Sequence, residues 1–339
     1  MVASFKRIKY FDSLKFFAII AVLFNHCFNI INPLMFHGIN FYHVYQLGRF
    51  GVPIFLCISG ALLLNKDYEF IDFLKRRFAR VGYPLLFFIV IAYIFQIYPN
   101  PFTAFWYGWM ILGAYLTIPF INKIIQNSTI KEIEYFLAIC LFASLFYQMM
   151  NYLKVDFSFD LNFFITPVTY LVLGYYLSKK EFKLSPNKMV VCSLVIFIAS
   201  SILKMKFGNA FYIYPVVKVM YSSLDFSILQ ILQCASMFLL IRYIYSDVTG
   251  WALSIKKMLE SKYMDKMILS VSRASYGIYL VHMLIMRQWI RPIFKSMGLG
   301  GGKMLLVCFA TFVLLFLSTW IITLILGKIP YINKFSGYY

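Results

Sequence analysis

Charge is scarce in this chain: Asp, Glu, Lys and Arg together make up 13% of its 339 residues. Soluble domains contain about a quarter charged residues on average, so a soluble globular protein is a poor interpretation. Hydrophobic residues account for 62% of the sequence, a content that suits a lipid bilayer because the bilayer interior is itself apolar. The length accommodates about ten spans of ~20 residues with short connections, and it leaves no room for a separate soluble catalytic domain.

The sequence also lacks the motifs of metal, redox and phosphate-loop sites. Its six cysteines stand singly within apolar runs, without a C-x-x-C pair or a Cys/His cluster, which indicates buried, reduced thiols. The glycine-rich stretch 298–303 superficially resembles a phosphate loop, but its lysine follows too closely and no Ser or Thr comes next. We therefore expect no metal site and no nucleotide-binding loop of that type.

Apolar runs predict an all-α transmembrane bundle of about ten helices, in one domain that covers residues 1–339. Between them, Lys and Arg are unevenly distributed: 20 lie in the loop set that contains the N-terminus and nine in the opposite set. The positive-inside rule then places both termini in the cytoplasm, as in a multi-pass protein of the cytoplasmic (inner) membrane. The net charge of +19 is explained by orientation and lipid contact, without a nucleic-acid partner. The predicted helices lie near residues 11–31, 48–65, 81–98, 104–125, 132–150, 162–178, 188–206, 226–246, 268–288 and 304–327.

The first predicted helix contains three ionisable residues, Asp12, Lys15 and His26. An ionisable side chain inside a span is costly and marks a candidate functional site. Asp12 and Lys15, three residues apart, can neutralise one another. Lys15 and His26, eleven residues apart, return to within about 20° of the same helix face, with His26 ~16 Å deeper. The alternative is an interfacial Asp12–Lys15 pair and a histidine that only fills a polar position in the packing.

A second histidine, His282, lies in the ninth predicted helix at a comparable depth. Tyr279 and Ser275 precede it by three and seven residues, so the three polar side chains share one helical face. Two imidazoles at matching depth favour a shared pocket, although nothing in the sequence pairs the first helix with the ninth.

A basic stretch stands just before the third predicted helix and includes Arg76, Arg77 and Arg80. Such a cluster can anchor a helix end in anionic lipid headgroups. Arginine also binds phosphate through paired hydrogen bonds, so the stretch is equally a candidate dock for a phosphorylated cytoplasmic ligand. The sequence leaves both interpretations open.

Five segments, in register along the whole chain, resemble the signatures of the integral membrane acyltransferase family 3. Each motif is weak alone, and the ordered set is fairly specific. The segments are Lys15-x10-His26 (family pattern R-x10-H), residues 52–64 (V-P-x-F-F…S-G-F-L-L), Arg77-x-x-Arg80 with Pro84 (R-x-x-R…P), the aromatic stretch 106–119, and residues 275–282 (S-Y-x-x-Y-L-x-H).

The resemblance implies an O-acyltransferase that moves an acyl group from a coenzyme A thioester to a hydroxyl of a surface glycan or lipid-linked sugar. Acetyl-coenzyme A is the expected co-substrate, and homo-oligomerisation is left open. One departure concerns Lys15, which stands where the family signature has Arg; lysine keeps the charge but loses the bidentate fork.

The chemistry and the resemblance together assign roles to these residues. Neutral imidazole is a natural general base for a hydroxyl at physiological pH, so His26 is the expected base, with Lys15, Asp12 and His282 as its catalytic neighbours. Arg76, Arg77 and Arg80 are the expected phosphate ligands of the donor. The candidates for substrate or oxyanion contacts are Ser59, Ser275 and Tyr279.

Two other classes of function are compatible with the same pattern. An exporter or flippase of polysaccharide or lipid-linked sugar would use the polar stripe as a pathway. An assembly or sensing subunit would use the intramembrane charges only to pack its helices. Acyl transfer by the purified protein distinguishes the enzyme from both.

Overall fold

Every regular element of the computed structural model is helical within the residues that it describes, which are 7–35, 44, 46–155, 158–207, 225–290, 292 and 303–339. The predicted all-α class is therefore confirmed for this part of the chain. The helices are α1 Lys9–Met35, α2 Gly51–Leu63, α3 Phe70–Ile94, α4 Pro101–Ala104, α5 Trp106–Gln126, α6 Ile130–Leu153, α7 Pro167–Lys179, α8 Pro186–Phe207, α9 Ile228–Ile244, α10 Gly250–Leu259, α11 Lys262–Ile285 and α12 Lys303–Lys328.

Each of the ten predicted helices has a counterpart in this list, and two further helices, α4 and α10, lie in predicted loops. Within the described ranges, eight helical segments are long and apolar enough to cross a membrane, with α2 counted from Gln46 in the 3₁₀ turn that precedes it. The two shorter counterparts are α7, with 13 residues, and α9, with 17. The polytopic helical bundle is thus observed, with eight full-length spans where the hydropathy pattern predicted ten.

Helix α3 begins well before its predicted start at residue 81. Glu69 caps its N-terminus, because the two carboxylate oxygens accept the backbone N–H groups of Ile71 (3.1 Å) and Asp72 (2.6 Å). The basic stretch 73–80 is therefore the first part of a helix and not a loop. Hydropathy misses this part because charged residues alternate with apolar ones on different helix faces.

Helices α2 and α7 approach each other at two glycines. A Cβ atom on Gly60 would overlap the Leu171 carbonyl, and one on Gly174 would overlap the backbone of Cys57. Small residues that let helix backbones approach closely are typical of packing in membranes. Helix α2 also packs against α1, which in turn packs against α9, α11 and α12.

The two described ends of the chain lie at the same end of the bundle. Arg7 Nη1 is 2.8 Å from Asp265 Oδ2, and the Tyr339 N–H donates to the Arg273 carbonyl at 3.0 Å. Asp265 and Arg273 are two turns apart on α11. The shared side of the termini is therefore confirmed, and the positive-inside rule still predicts that this side is cytoplasmic.

A buried ion pair stabilises the opposite end of the bundle. Lys204 Nζ, near the end of α8, lies 2.8 Å from Asp225 Oδ2, and both side chains are 3% exposed. Lys204 also donates to Gln230 of α9. A charge pair in an apolar interior persists only when its members satisfy one another, so this pair fixes α8 against the start of α9.

Candidate active site

A cavity of about 590 Å³ lies between α1, α2, α3, α5 and α11, at the end of the bundle where the described chain ends meet. The residues 332–339 that follow α12 contribute Tyr339 to its wall. Its mouth is lined by exposed side chains such as Arg7 and Arg80, and its inner end by buried ones such as Ile19, Tyr107 and Tyr279. The cavity therefore leads from the edge of the bundle into its apolar interior.

Cations dominate the lining of this cavity. Six basic side chains and one acidic side chain, Asp12, are among the described residues that line it. Excess positive charge in a partly desolvated cleft attracts anions more strongly than the same charge in open water. The six basic residues are Arg7, Lys15, Lys66, Arg77, Arg80 and Arg273.

Asp12 does not pair with Lys15, which corrects the neutralisation expected from their spacing. Its Oδ2 atom lies 2.6 Å from Arg7 Nε, and its Oδ1 atom accepts the Ser272 hydroxyl at 2.7 Å. Arg7 also reaches Asp265 and so ties the start of α1 to α11. Lys15 forms no ion pair or hydrogen bond within the described residues, and it lines the cavity.

The three predicted arginines divide between two faces of α3. Arg77 and Arg80 line the cavity, as residues three apart on one helix face do. Arg76 points about 100° away from Arg77, is exposed, and pairs with Asp72 at 3.3 Å. Its expected role as a donor ligand is therefore not supported by its position, because it is absent from the cavity wall.

Arg77, which lines the cavity, retains an unused hydrogen-bond donor. Its Nε atom is buried and has no hydrogen-bond partner within the described part of the chain. Its guanidinium carbon lies 5.5 Å from the centre of the Phe73 ring, which supports the group from one side. A buried guanidinium donor without a partner is the arrangement expected of a site that binds an anion.

The two predicted histidines are neighbours. The ring centres of His26 on α1 and His282 on α11 lie 5.0 Å apart, so the two imidazoles whose matching depth favoured a shared pocket are adjacent. His282 is fully buried, and its Nδ1 atom is 2.5 Å from the Tyr279 carbonyl oxygen. Because a carbonyl only accepts hydrogen bonds, we assign the proton to Nδ1. The Nε2 atom is then an acceptor, and it has no partner among the described residues.

Neither histidine lines the cavity itself. Along α1 the lining reaches Val22, one turn or about 6 Å short of His26. Tyr279 bridges the gap on the α11 side, because it lines the cavity and its ring centre lies 5.6 Å from that of His282. The polar route therefore runs from the cavity past Tyr279 to His282 and His26.

The three candidate hydroxyls differ in whether their protons already take part in a hydrogen bond. Ser59 donates to the Phe55 carbonyl at 2.9 Å, and Ser275 donates to the Ser272 carbonyl at 2.9 Å. Both hydroxyl protons are therefore already used in hydrogen bonds within their own helix. The buried Tyr279 hydroxyl lies beside backbone amides of α5, and no hydrogen bond with regular geometry engages it within the described residues.

Several cavity residues had no signal as site residues in the sequence. Arg7 and Lys66 resembled orientation charges, and Arg273 was counted only as a cation within a span. Tyr107 and Tyr339 were two aromatics among many. Tyr339 stacks on the Arg80 guanidinium, 4.6 Å from the ring centre, and burial raises the pKa of its hydroxyl to about 12 although Arg80 acts in the opposite direction.

Comparison with known proteins gives one match and two negative results. A family model described as an acyltransferase domain, that of acyltransferase family 3, matches residues 8–327. No curated protein matches the chain. No solved structure matches it either.

Proposed function

Because the chain belongs to the integral membrane acyltransferase family 3, as the match over residues 8–327 shows, we propose that it transfers an acyl group from a coenzyme A thioester to a sugar hydroxyl at the membrane. Acetyl is the proposed acyl group, and a surface polysaccharide or lipid-linked sugar is the proposed acceptor. The observation that carries the proposal is the basic cavity, which leads from the bundle end toward a pair of adjacent histidines.

The charge at the mouth supports the choice of donor. Coenzyme A combines phosphate groups at its nucleotide end with a long, slender arm that ends in the thioester. Arg77 and Arg80 at the mouth, with Lys15 deeper on α1, supply charge-assisted donors for phosphate oxygens. The inner lining of Ile19, Val22 and other apolar side chains suits the arm.

The length of the cavity agrees with a ligand whose phosphates lie at the mouth and whose slender arm lies in the inner part. The cavity lining extends from Ile8, immediately before α1, to Val22, about 21 Å along the helix axis. A ligand that fills it therefore holds its charged end among the arginines while its other end approaches the tyrosines of α5 and α11. The thioester then has to advance about 6 Å beyond Val22, past Tyr279, to reach His26.

His26 is the proposed general base. It is partly exposed, so an acceptor hydroxyl can approach it without unfolding the surrounding helices. The imidazole removes the hydroxyl proton as the oxygen attacks the thioester carbon, an ester C–O bond forms, and the C–S bond breaks. The proton then passes to the departing sulfur, which leaves as the coenzyme A thiol. Aspartate is not needed for this step, and Asp12 instead orders the mouth through Arg7 and Ser272.

Tyr279 is the favoured group for the negative charge that develops on the thioester oxygen. Its hydroxyl proton is not committed to a regular hydrogen bond within the described chain, whereas the protons of Ser59 and Ser275 are. A donor that is already in place and shielded from water stabilises an oxyanion effectively. His282, held by the Tyr279 carbonyl, positions the base from the other side.

The test is acyl transfer by the purified protein in detergent or nanodiscs. The protein is incubated with radiolabelled acetyl-coenzyme A and a membrane glycolipid extract, with the His26→Ala variant as control. We expect label in the glycolipid fraction and stoichiometric release of coenzyme A thiol from the wild type. Failure to bind or consume acetyl-coenzyme A, together with uptake of lipid-linked sugar across a proteoliposome membrane, would replace this proposal with the exporter alternative.

A further inference from the structure

Pro84 interrupts the hydrogen bonding of α3 beside the cavity mouth. Proline has no N–H group, so residue 84 cannot donate to the carbonyl of Arg80, four residues earlier. Because a proline ring also disturbs the turn before it, the bond to the next carbonyl, that of Val81, is expected to be weakened. Two backbone acceptors at the anion-binding end of α3 therefore need donors from elsewhere.

Two tyrosines from different parts of the chain supply those donors. The Tyr339 hydroxyl donates to the Arg80 carbonyl, and the Tyr276 hydroxyl donates to the Val81 carbonyl at 3.0 Å. Both tyrosines also line the cavity. The interrupted hydrogen bonding of α3 is thus completed by donors from α11 and from the segment that follows α12.

Tyr339 holds the side chain of Arg80 as well as its backbone. The Arg80 guanidinium carbon lies 4.6 Å from the centre of the Tyr339 ring, within the range of a cation–π contact. One residue therefore engages both ends of Arg80. This double contact restricts an otherwise exposed, flexible side chain, and restricting it in advance lowers the entropy lost when an anion binds.

The segment that carries Tyr339 is itself fixed to α11. The Gly277 N–H donates to the Gly337 carbonyl at 3.2 Å, and the Tyr339 N–H donates to the Arg273 carbonyl at 3.0 Å. A Cβ atom on Gly337 would lie 2.8 Å from the Gly277 Cα atom, and Gly337 has φ +70°, so the close approach requires glycine. Phe335 completes the attachment by stacking on Phe87 of α3, with ring centres 5.5 Å apart.

We propose that Tyr339 is a positioning residue of the anion-binding mouth, which holds Arg80 in place by compensating for the hydrogen bond that Pro84 removes from α3. The proposal rests on the proposed function in one respect, that the anion is the phosphate end of a coenzyme A donor. Tyr339 touches no reacting atom in this account. It acts on donor binding through Arg80, and it leaves the chemical step at the histidines unchanged.

The test compares Tyr339→Phe, which removes only the hydroxyl, with Tyr339→Leu, which also removes the stacked ring. Coenzyme A affinity and the steady-state kcat and donor KM are measured in the purified full chain. We expect Tyr339→Phe to raise Kd and donor KM by about 3- to 10-fold, as the loss of one hydrogen bond does, and Tyr339→Leu to raise them further. In both variants kcat stays within about twofold, and Tyr331→Phe, at an exposed tyrosine outside the cavity wall, leaves all three constants unchanged.

A double-mutant cycle with Pro84→Ala separates this mechanism from a general loosening of the fold. Alanine restores an N–H group at position 84, which can donate to the Arg80 carbonyl and make the Tyr339 hydroxyl redundant. The effect of Tyr339→Phe on donor KM is therefore expected to shrink to less than about twofold in the Pro84→Ala background. If Pro84→Ala does not fold, the comparison of Tyr339→Phe with Tyr339→Leu and Tyr331→Phe decides the question alone.

The outcomes separate this inference from the proposed function. A wild-type protein that binds no coenzyme A removes the donor assignment and the role of Tyr339 together. A wild-type protein that binds coenzyme A, with Tyr339→Phe and Tyr339→Leu both equal to it, overturns the role of Tyr339 and leaves the proposed function standing. A fall in kcat at unchanged donor KM would also overturn the positioning role.

Discussion

His26 and His282 face one another across the contact between α1 and α11, with ring centres 5.0 Å apart. His282 is held by the Tyr279 carbonyl, and Tyr279 lines the basic cavity. The two imidazoles therefore lie at the inner end of the polar route that begins at the basic cavity. The pair also ties the catalytic proposal to a specific helix–helix contact, which makes the proposal testable at several separate points.

Replacing His26 with Ala is expected to lower acyl transfer by about 10²- to 10⁴-fold, the usual contribution of a general base. Coenzyme A affinity should stay within about twofold, because His26 does not line the cavity. Transfer in the wild type should also fall on acidification as the imidazole of His26 becomes protonated and can no longer accept a proton. Single-turnover rates and coenzyme A binding across pH check both statements, and transfer by His26→Ala at the wild-type rate would refute the assignment.

Replacing Lys15 with Ala is expected to weaken coenzyme A binding while leaving thermal stability nearly unchanged. Lys15 lines the cavity, and Asp12 keeps Arg7 and Ser272 as partners without it. Lys15→Arg should bind the donor at least as well as the wild type, because it restores the residue of the family signature and its bidentate fork. Calorimetry and a melting curve separate the two effects, and a large loss of stability in Lys15→Ala would show that Asp12 does depend on it.

The paired replacement of Arg77 and Arg80 with Gln is expected to weaken donor binding by at least tenfold, with little change in the KM for the acceptor. Both side chains line the cavity, and each charge-assisted hydrogen bond contributes roughly 1.5–3 kcal/mol. Arg76→Gln is the matched control, since Arg76 is exposed on another face and pairs with Asp72. Equal donor affinity in the double variant and in Arg76→Gln would indicate that the basic stretch 73–80 anchors α3 in lipid and does not bind the donor.

Replacing Gly60 with Leu is expected to prevent correct packing of α2 against α7. Even a Cβ atom at this position would overlap the Leu171 carbonyl, and a backbone atom cannot move aside as a flexible side chain can. Gly113→Ala is the control, because a Cβ atom there meets no neighbouring atom within 4 Å. Thermal unfolding of the purified variants measures the difference, and a Gly60→Leu protein as stable as Gly113→Ala would contradict the close approach.

Cysteine labelling tests which side of the membrane the basic end faces. In a background without the six native cysteines, single cysteines within 66–80 or 179–188 should react with an impermeant reagent only from the cytoplasm, whereas those within 33–46 or 292–302 should react from outside. The expectation follows from the 20-to-9 bias of Lys and Arg. Labelling of 179–188 from outside intact cells would overturn the helix count.

The sequence alone determined the class of this protein, most of its helices and the shared side of its ends. A bilayer acts on each segment separately, because every span has to satisfy its own backbone and present an apolar surface; hydropathy and loop charge therefore carry the information locally. The spacing of Lys15 and His26 was readable for the same reason, since both lie on one helix. Where the helix prediction failed, the cause was also local. It missed the capped and charged first part of α3, which lacks the continuous apolar run of a span.

The tertiary structure decided which of the charged and aromatic residues meet. Asp12 pairs with Arg7 and not with Lys15. Arg76 lies on a different face of α3 from Arg77 and Arg80, which line the cavity. The Tyr339 hydroxyl donates to the Arg80 carbonyl, which Pro84 leaves without its helical donor. The contacts of Tyr339 with Arg80 and of Arg7 with Asp265 join distant parts of the chain, and the segment that carries Tyr339 approaches α11 closely at Gly337 and Gly277. No single segment contains that distance, because it is a property of the packed pair.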